Sequence, residues 1–393
     1  TGYYCFCSAE TLEAHRKSQL AAGLPPKYAG TCRNIPPEEA KRRKDGGEPA
    51  VIRLRVPDHR AVTFTDAVRG DVTFQTEVIG DPVLVRSDGI PAYNFAVVID
   101  DALMKITHVI RGEDHISNTP RQILLYEAFG YEPPTFAHLS LVMGPDHAPL
   151  SKRHGATSVK EFRDKGYLPE ALVNYLALLG WSPGQNEELL PAAELARRFT
   201  LDTVAHSAGV FDEDKLAWVN RHYLKQCPPS RLAALSEPYF RERGLVVGEV
   251  SGQVRAWLEF VLPQVATSVD RLAELPDRLA AVFALPRVPA EFDGFDRAFV
   301  AALSEELNAA PPLTDKEIFR AVANKLKQRT GAKGKMLFHP IRVLLTGAHD
   351  GPELDVLIPA IDRAAHLEAA GLAPVVSCKQ RAALIAAALR PEA

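Results

Sequence analysis

A chain of 393 residues, 46% hydrophobic and 24% charged, has the composition of a soluble globular protein with room for roughly two to four domains. Its net charge of −3 provides no global positive field, so a nucleic-acid partner would have to meet local basic patches. No apolar run is long enough to cross a bilayer, no basic–apolar–small leader opens the chain, and five cysteines are too few and odd in number for a disulfide scaffold. The expectation is a reducing, cytoplasmic compartment and no membrane partner.

Residues 1–88 read as one α+β unit. Ser8 is placed to cap a helix over residues 9–22, in which Leu12, Leu20 and Ala21 are the apolar positions. Residues 36–49 are rich in proline and charge, contain the run KRRK at 41–44, and read as a solvated loop. Residues 51–56 and 72–76 alternate like half-buried strands, with Asp66 and the sequence RGD at 69–71 in the connection between them.

From residue 88 the texture changes. Residues 95–99 are a continuous apolar run ending in Asp100 and Asp101, consistent with a buried helix or strand. Residues 106–110 predict a short strand that ends in the polar loop RGEDH at 111–115. Residues 119–129 predict a helix capped by Gly130, and a second apolar run, 136–143, leads into PLSKRHGATS at 149–158. Strand, polar loop, helix, strand, polar loop is the order of a parallel α/β sheet, whose functional groups gather at the carboxyl ends of the strands. The two polar loops are therefore a candidate shared site.

In the second loop Ser151, Lys152, Arg153 and His154 precede Gly155, and Ser158 with Glu161 reads as a capping box for a following helix. A cationic, donor-rich loop suits a phosphate chain: Lys is a point charge, Arg a planar fork and Ser a neutral donor. A solvated basic turn is the alternative that composition alone allows. Beyond Ser158 the periodicity predicts helices over 168–180, 191–199, 214–224, 231–243, 254–266, 315–328 and 337–345, then two short ones within 352–389. Pro228 and Pro229 read as a domain joint.

Taken together, YNFAVVIDD at 93–101, HVIRGEDH at 108–115, NTPRQ at 118–122 and LSKRHG at 150–155 resemble the bacterial glutamyl-tRNA synthetases, class I enzymes whose second signature is a loop of the KMSKS type. The likeness continues through GYLPEA at 166–171, FDEDKL at 211–216, GKMLFHPIR at 334–342 and LTG at 345–347, in collinear order over essentially the whole chain. It implies ligation of glutamate to tRNA(Glu) through a glutamyl-adenylate, with ATP and Mg2+, by a monomer. It also implies an α/β plus all-α fold. Residues 89–145 would be the second half of a Rossmann-type catalytic domain, with an inserted α+β acceptor-binding domain over 1–88. A signature loop and helical stem-contact region would follow over 146–227, and an α-helical anticodon-binding domain over 228–393.

By this correspondence Lys152 stabilises the leaving phosphates while Ser151 and Arg153 shape the loop. Arg111 reads the side-chain carboxylate of glutamate with its bidentate fork, and Tyr93 helps to hold the same substrate. Asp114 and His115, with Lys152, line the nucleotide side. For Arg111 the structural alternative is an ion pair to Asp100 or Asp114, and for Tyr93 a core ring with a satisfied hydroxyl. Arg42, Arg43 and Lys44 are expected on acceptor-end phosphates, and Lys325, Lys327, Arg329, Lys333 and Lys335 on the tRNA backbone near the anticodon.

The chain departs from the family in three places. The first nucleotide signature, of the His-x-Gly-His type, is nowhere in it, and TGYYC at 1–5 resembles the start of the inserted domain. The expectation is a piece of a longer protein, with a noncatalytic tRNA-binding paralogue as the alternative. Cys5, Cys7 and Cys32 match the cysteines of the zinc site that some members carry, but Asn34 stands where that site has histidine, and an amide is a poor fourth ligand. Completion by His15 or a water competes there with a vestigial site that binds no metal, and the latter is the expectation. Finally, Pro149 replaces the first lysine of the loop signature, which removes a cation and stiffens the loop entry.

Overall fold

A computed structural model describes residues 1–155, 158–184, 187–284 and 296–388. Ala156 and Thr157 of the cationic loop and Leu389 of the last expected helix lie outside the described residues. The chain divides into two compact units, Thr1–Ser151 with Leu176–Phe211, and Lys152–Tyr175 with Asp212–Ala393.

The strands of the first unit are β1 (Gly2–Cys5), β2 (Val51–Leu54), β3 (Ala61–Asp66), β4 (Gly70–Gln75), β5 (Val83–Val85), β6 (His108–Gly112) and β7 (Thr135–Leu139). They form a three-stranded antiparallel sheet, β1-β2-β5, and a four-stranded sheet, β4-β3-β7-β6. The second is mixed rather than wholly parallel. β6 and β7 run parallel, while β3 and β4 form an antiparallel hairpin that joins them through the pairing of Asp66 with Phe136. Val62, Phe64 and Asp66 face inward from β3, and the alternating Ala61, Thr63 and Thr65 face out, the pattern of a sheet with one solvated face. Asp66 thus closes a strand instead of lying in a loop. This sheet draws strands from both sides of residue 88.

The helices of this unit are α1 (Ala9–Ala21), α2 (Pro37–Asp45), the single turn α3 (Thr76–Ile79), α4 (Tyr93–Leu103) and α5 (Thr119–Phe129). Ser8 caps α1 by accepting from the Thr11 N–H at 3.2 Å. The stretch expected as a loop holds α2. Pro37 starts it, Glu38 and Glu39 lie in its first turn and Arg42, Arg43 and Lys44 in its last, so both ends suit the helix dipole. The apolar run 95–99 is helical, inside α4. α5 has Pro120 in its first turn and ends at Gly130, whose φ of 67° is left-handed. Its buried Leu125 and Tyr126 share one core with Val62, Phe64, Val98 and Phe136. β6 is the edge of its sheet, and Ile110 on it is exposed.

The second unit is helical. It contains α6 (Val159–Lys165) and the first half of α7 (Pro169–Gly180), whose second half belongs to the first unit, as does α8 (Ala192–Arg198). There follow α9 (Glu213–Gln226), α10 (Pro229–Glu242), α11 (Gly252–Val265), the single turns α12 (Leu275–Arg278) and α13 (Ala280–Phe283), and α14 (Arg297–Ala309). The last helices are α15 (Lys316–Thr330), α16 (Lys335–Thr346), α17 (Leu354–Ala364) and α18 (Cys378–Ala388). The capping box before α6 is complete: the Ser158 hydroxyl accepts from the Glu161 N–H at 3.3 Å, and the Glu161 carboxylate accepts from the Ser158 N–H at 2.9 Å. Pro228 and Pro229 begin α10. Among the described residues no helix is long and apolar enough to cross a membrane.

Candidate substrate-carboxylate site

β6 and β7 pair in parallel with Arg111 directly opposite His138, so both side chains leave the same face at the carboxyl ends of their strands. Arg111 donates from Nε to His138 Nε2 at 3.1 Å, and from Nη2 to Thr119 Oγ1 and to Gln122 Oε1, each at 2.8 Å. Thr119 and Gln122 come from the first turn of α5, the helix that connects the two strands. All three acceptors are neutral, and neither Asp100 nor Asp114 is among them, so the ion-pair alternative for Arg111 is not realised. Nη1 keeps both N–H groups without a partner among the described residues. A bidentate fork is therefore not on offer. Nε and Nη2 are already spent on the protein, and a ligand carboxylate would be met by Nη1.

The sequence names Asp66 only as part of a connection and passes over His138, although a single histidine inside the apolar run 136–143 is a signal for the latter. Both side chains have no exposed surface, and Asp66 Oδ2 lies 2.6 Å from His138 Nδ1. Asp66 Oδ1 accepts from the N–H groups of Val68, Arg69 and His138 at 3.0, 2.9 and 3.1 Å. Burial alone would raise the Asp66 carboxyl, but the His138 ring and these three N–H groups hold it below its usual value. Burial lowers the His138 ring against the opposing pull of Asp66, so the ring is neutral. Beside it, Arg69 ties the strand ends together, donating from Nη2 to Glu113 at 2.5 Å and Ser140 at 2.7 Å and from Nε to the His138 carbonyl at 3.2 Å.

Tyr93 is 52% exposed, which rules out the core ring, and it packs against His115 with ring centres 5.9 Å apart. His115 Nε2 is 3.7 Å from the Asp114 carboxylate. The cationic loop is entered by a tight turn in which Gly144 and Leu150 donate to the Ala148 and Val142 carbonyls, both at 2.8 Å. Ser151 ends the first unit, and Lys152 and Arg153 belong to the second, in a short helical turn, Lys152–His154, in which Arg153 Nε donates to His154 Nε2 at 3.1 Å.

Comparison with known proteins bears on this arrangement. The catalytic domain of the class I tRNA synthetases (E and Q) matches residues 1–218, and an anticodon binding domain matches residues 231–368. A glutamate–tRNA ligase of Desulforamulus reducens is 44% identical over 378 residues, which are 94% of this chain and 78% of that protein. The chain belongs to the glutamate–tRNA ligase family. A second relative carrying that name, from Carboxydothermus hydrogenoformans, is 46% identical over 90% of this chain and 74% of its own length. The crystal structure of a glutamate tRNA ligase from Elizabethkingia meningosepticum in complex with its amino acid superposes with a TM-score of 0.79 at 27% identity, covering 99% of this chain and 80% of that one.

Set within the glutamate–tRNA ligase family, the cysteine group takes a different shape from the one expected. Cys5, Cys7 and Cys32 place their sulfurs within 4.8 Å of one another. Asn34 is exposed and His15 stands outside the group. The residue at the fourth position is Tyr28. Its hydroxyl receives the Cys5 thiol at 3.3 Å, lies 3.7 Å from the Cys7 sulfur, and accepts from the Cys32 N–H at 2.8 Å. Three sulfurs and one phenol oxygen are a chemically sound set for zinc, with the oxygen as the hardest donor. Burial pushes the Cys7 thiol up to about 11, so a cation would have to displace protons to bind.

Of the basic residues, Arg42 and Lys44 are exposed on α2, whereas Arg43 forks Glu48 at 2.7 and 2.5 Å and lies 4.1 Å over the Phe6 ring. Lys325, Lys327, Lys333 and Lys335 are exposed, while Arg329 pairs with Glu305 and Glu306. Close to Lys335 a cavity of 490 Å3 is lined by Phe319, Arg320, Phe338, His339 and Arg342. Arg342 donates from Nη2 to the Pro352 carbonyl at 2.9 Å, and its Nη1 is buried with no partner among the described residues.

Proposed function

We propose that this glutamate–tRNA ligase takes the side-chain carboxylate of glutamate on Arg111 Nη1, activates the α-carboxylate with ATP and passes the product to tRNA(Glu). The observation that carries the reading is a half-buried guanidinium held by three neutral acceptors, with two N–H groups left over and, among the described residues, no carboxylate within ion-pair distance; Asp101 feels its charge only through space. A cation kept unpaired in that way is matched by a ligand anion. Tyr93 flanks the same substrate, and Asp114 and His115 line the nucleotide side.

In the first step the α-carboxylate oxygen of glutamate attacks the α-phosphorus of ATP and pyrophosphate leaves. In the second, a hydroxyl at the 3′ end of the tRNA attacks the adenylate carbonyl and AMP leaves. Both steps build charge on phosphate oxygens, so positioned cations lower the barrier without a covalent enzyme nucleophile. Lys152 supplies that charge at the leaving phosphates, with Ser151 and Arg153 shaping its loop, and Mg2+ shares the load on the triphosphate.

On the tRNA side, Arg42 and Lys44 neutralise acceptor-end phosphates from residues 1–88, and Lys325, Lys327, Lys333 and Lys335 do so near the anticodon. Residues 89–145 form the second half of the nucleotide-binding domain, 146–227 the stem-contact region and 228–393 the anticodon-binding domain. The cavity with Phe319, Phe338 and Arg342 receives an anticodon base, by aromatic stacking and an edge hydrogen bond from Arg342. Cys5, Cys7, Cys32 and Tyr28 hold one zinc ion that pins the β1 end, and the protein acts as a monomer.

Glutamate-dependent ATP–pyrophosphate exchange by the 393-residue chain, with and without tRNA(Glu), tests the reading. The expected result is exchange that disappears in Lys152→Ala. Retained tRNA binding without exchange would favour a noncatalytic tRNA-binding role.

A further inference from the structure

His138 faces Arg111 on one side and Asp66 on the other, 72 residues away in the chain, and all its surface is buried. An ionised carboxylate only accepts, so Asp66 requires the ring proton on Nδ1 and leaves a lone pair on Nε2. That lone pair accepts from Arg111 Nε. Thr119 Oγ1, which accepts from Arg111 Nη2 at 2.8 Å, lies 3.1 Å from Nε2, where it can only share the single lone pair that Arg111 Nε already uses. On the far side Gln122 is oriented in the same manner. Its Nε2 donates to Asn94 Oδ1 at 3.0 Å, which turns Oε1 toward Arg111. His138 and Gln122, two of the three acceptors that grip the guanidinium, are thus themselves oriented by a second bond.

We propose that His138 is a positioning residue for glutamate recognition: Asp66 sets its tautomer, and the tautomer sets the plane of the Arg111 guanidinium so that Nη1 alone meets the substrate. The proposal rests on Arg111 as the reader of the side-chain carboxylate. It also explains why a histidine, and not a second acid, stands between Asp66 and Arg111. An acid in direct contact would neutralise Arg111 and remove its preference for an anion. The imidazole passes on the orientation while the charge of Asp66 stays one ring away. Glutamine can still turn its amide oxygen to Nη1, but it brings no negative charge to match the unpaired guanidinium, and it is disfavoured on that ground.

Two substitutions separate positioning from mere support. In His138→Asn a short amide can still donate to Asp66, but the acceptor facing Arg111 is gone. In His138→Gln a carbonyl oxygen takes roughly the place of Nε2, and the bond to Asp66 is lost. Glutamate affinity is measured by titration calorimetry on the intact chain, with glutamine as competitor and Arg111→Ala as control. We expect His138→Asn to weaken glutamate about tenfold or more and to narrow its margin over glutamine, and His138→Gln to stay within about threefold of the parent. The reverse order, or equal affinities, overturns the proposal, because a supporting role for the Asp66 bond favours asparagine.

Normal binding by both His138 variants alongside loss in Arg111→Ala also overturns it, and leaves the reading of Arg111 standing. Undiminished binding in Arg111→Ala, or none in the parent, overturns that reading as well. Should His138→Asn fail to fold, Asp66→Asn takes away the acceptor that sets the ring tautomer and leaves every direct partner of Arg111 in place. It is expected to weaken glutamate about threefold or more, and an unchanged affinity counts against the proposal.

Discussion

Asp66→Asn is the sharpest perturbation that the buried network permits. The asparagine oxygen can replace Oδ1 and keep the three N–H donors of Val68, Arg69 and His138. Its amide nitrogen then points at His138 Nδ1, 2.6 Å away in the parent, so donor meets donor. Moving the ring proton to Nε2 relieves that clash only by placing it against Arg111 Nε, 3.1 Å away. Neither tautomer fits. The loss is one charge-assisted hydrogen bond plus one buried donor left unmade, offset in part by the lighter desolvation of an amide, for a net cost of about 2–4 kcal/mol. For a unit of this size each kcal/mol moves the midpoint by about 2–4 °C, so a fall of roughly 5–15 °C is expected for the first unit. Scanning calorimetry reads it, with the second unit's transition as an internal reference. In a His138→Asn background the amide at position 138 can rotate to present its oxygen to the new amide nitrogen at position 66, and the same substitution should cost far less. Equal costs in both backgrounds, or an unchanged midpoint in the parent, would refute the tautomer argument.

The same pair predicts a pH dependence. Because burial lowers the His138 ring, the folded state keeps it neutral while the unfolded chain takes up a proton below about pH 6.5, so stability is level above that value and falls as pH drops through it. Asp66, whose carboxyl is also lowered, adds a further loss at more acid pH as it protonates, and His138→Gln should flatten the upper limb in urea titrations at stepped pH. Gly166→Ala should destabilise the second unit by about 2–4 kcal/mol, since φ is +93° and an added Cβ would lie 2.6 Å from the Ala273 nitrogen. Gly244→Ala, at φ +67° in open space, should cost only about 1 kcal/mol in the same denaturation assay. Zinc analysis by mass spectrometry should find one ion per chain, weakened by Tyr28→Phe and abolished by Cys32→Ser; full retention in Tyr28→Phe would show that the phenol oxygen is not a ligand.

Much of the frame was legible because its determinants are local. The span of α5 with Gly130 behind it, the capping box of Ser158 and Glu161, and a strand near 106–110 each depend on residues a few positions apart, although β6 runs on through Arg111 to Gly112. What failed locally failed for physical reasons. The run KRRK reads as a solvated loop by composition, yet Pro37 and the two glutamates after it start a helix, and Arg43 turns inward to Glu48. β3 was passed over because two of its three outward residues are threonines and its inward pattern ends in a charge, Asp66.

The residue types alone determined the family, the cation at the end of β6 and the chemistry that it suits. Which atoms of Arg111 remain free was decided only in three dimensions. The β6–β7 register sets His138 opposite Arg111, β3 brings Asp66 to the far side of the ring, and α5 returns Thr119 and Gln122 to the same guanidinium. Tyr28, four residues before Cys32, reached Cys5 and Cys7 in the same way, through the fold. A hydrogen bond between residues 72 positions apart leaves no periodic trace in the chain, because its geometry is set by strand pairing and burial.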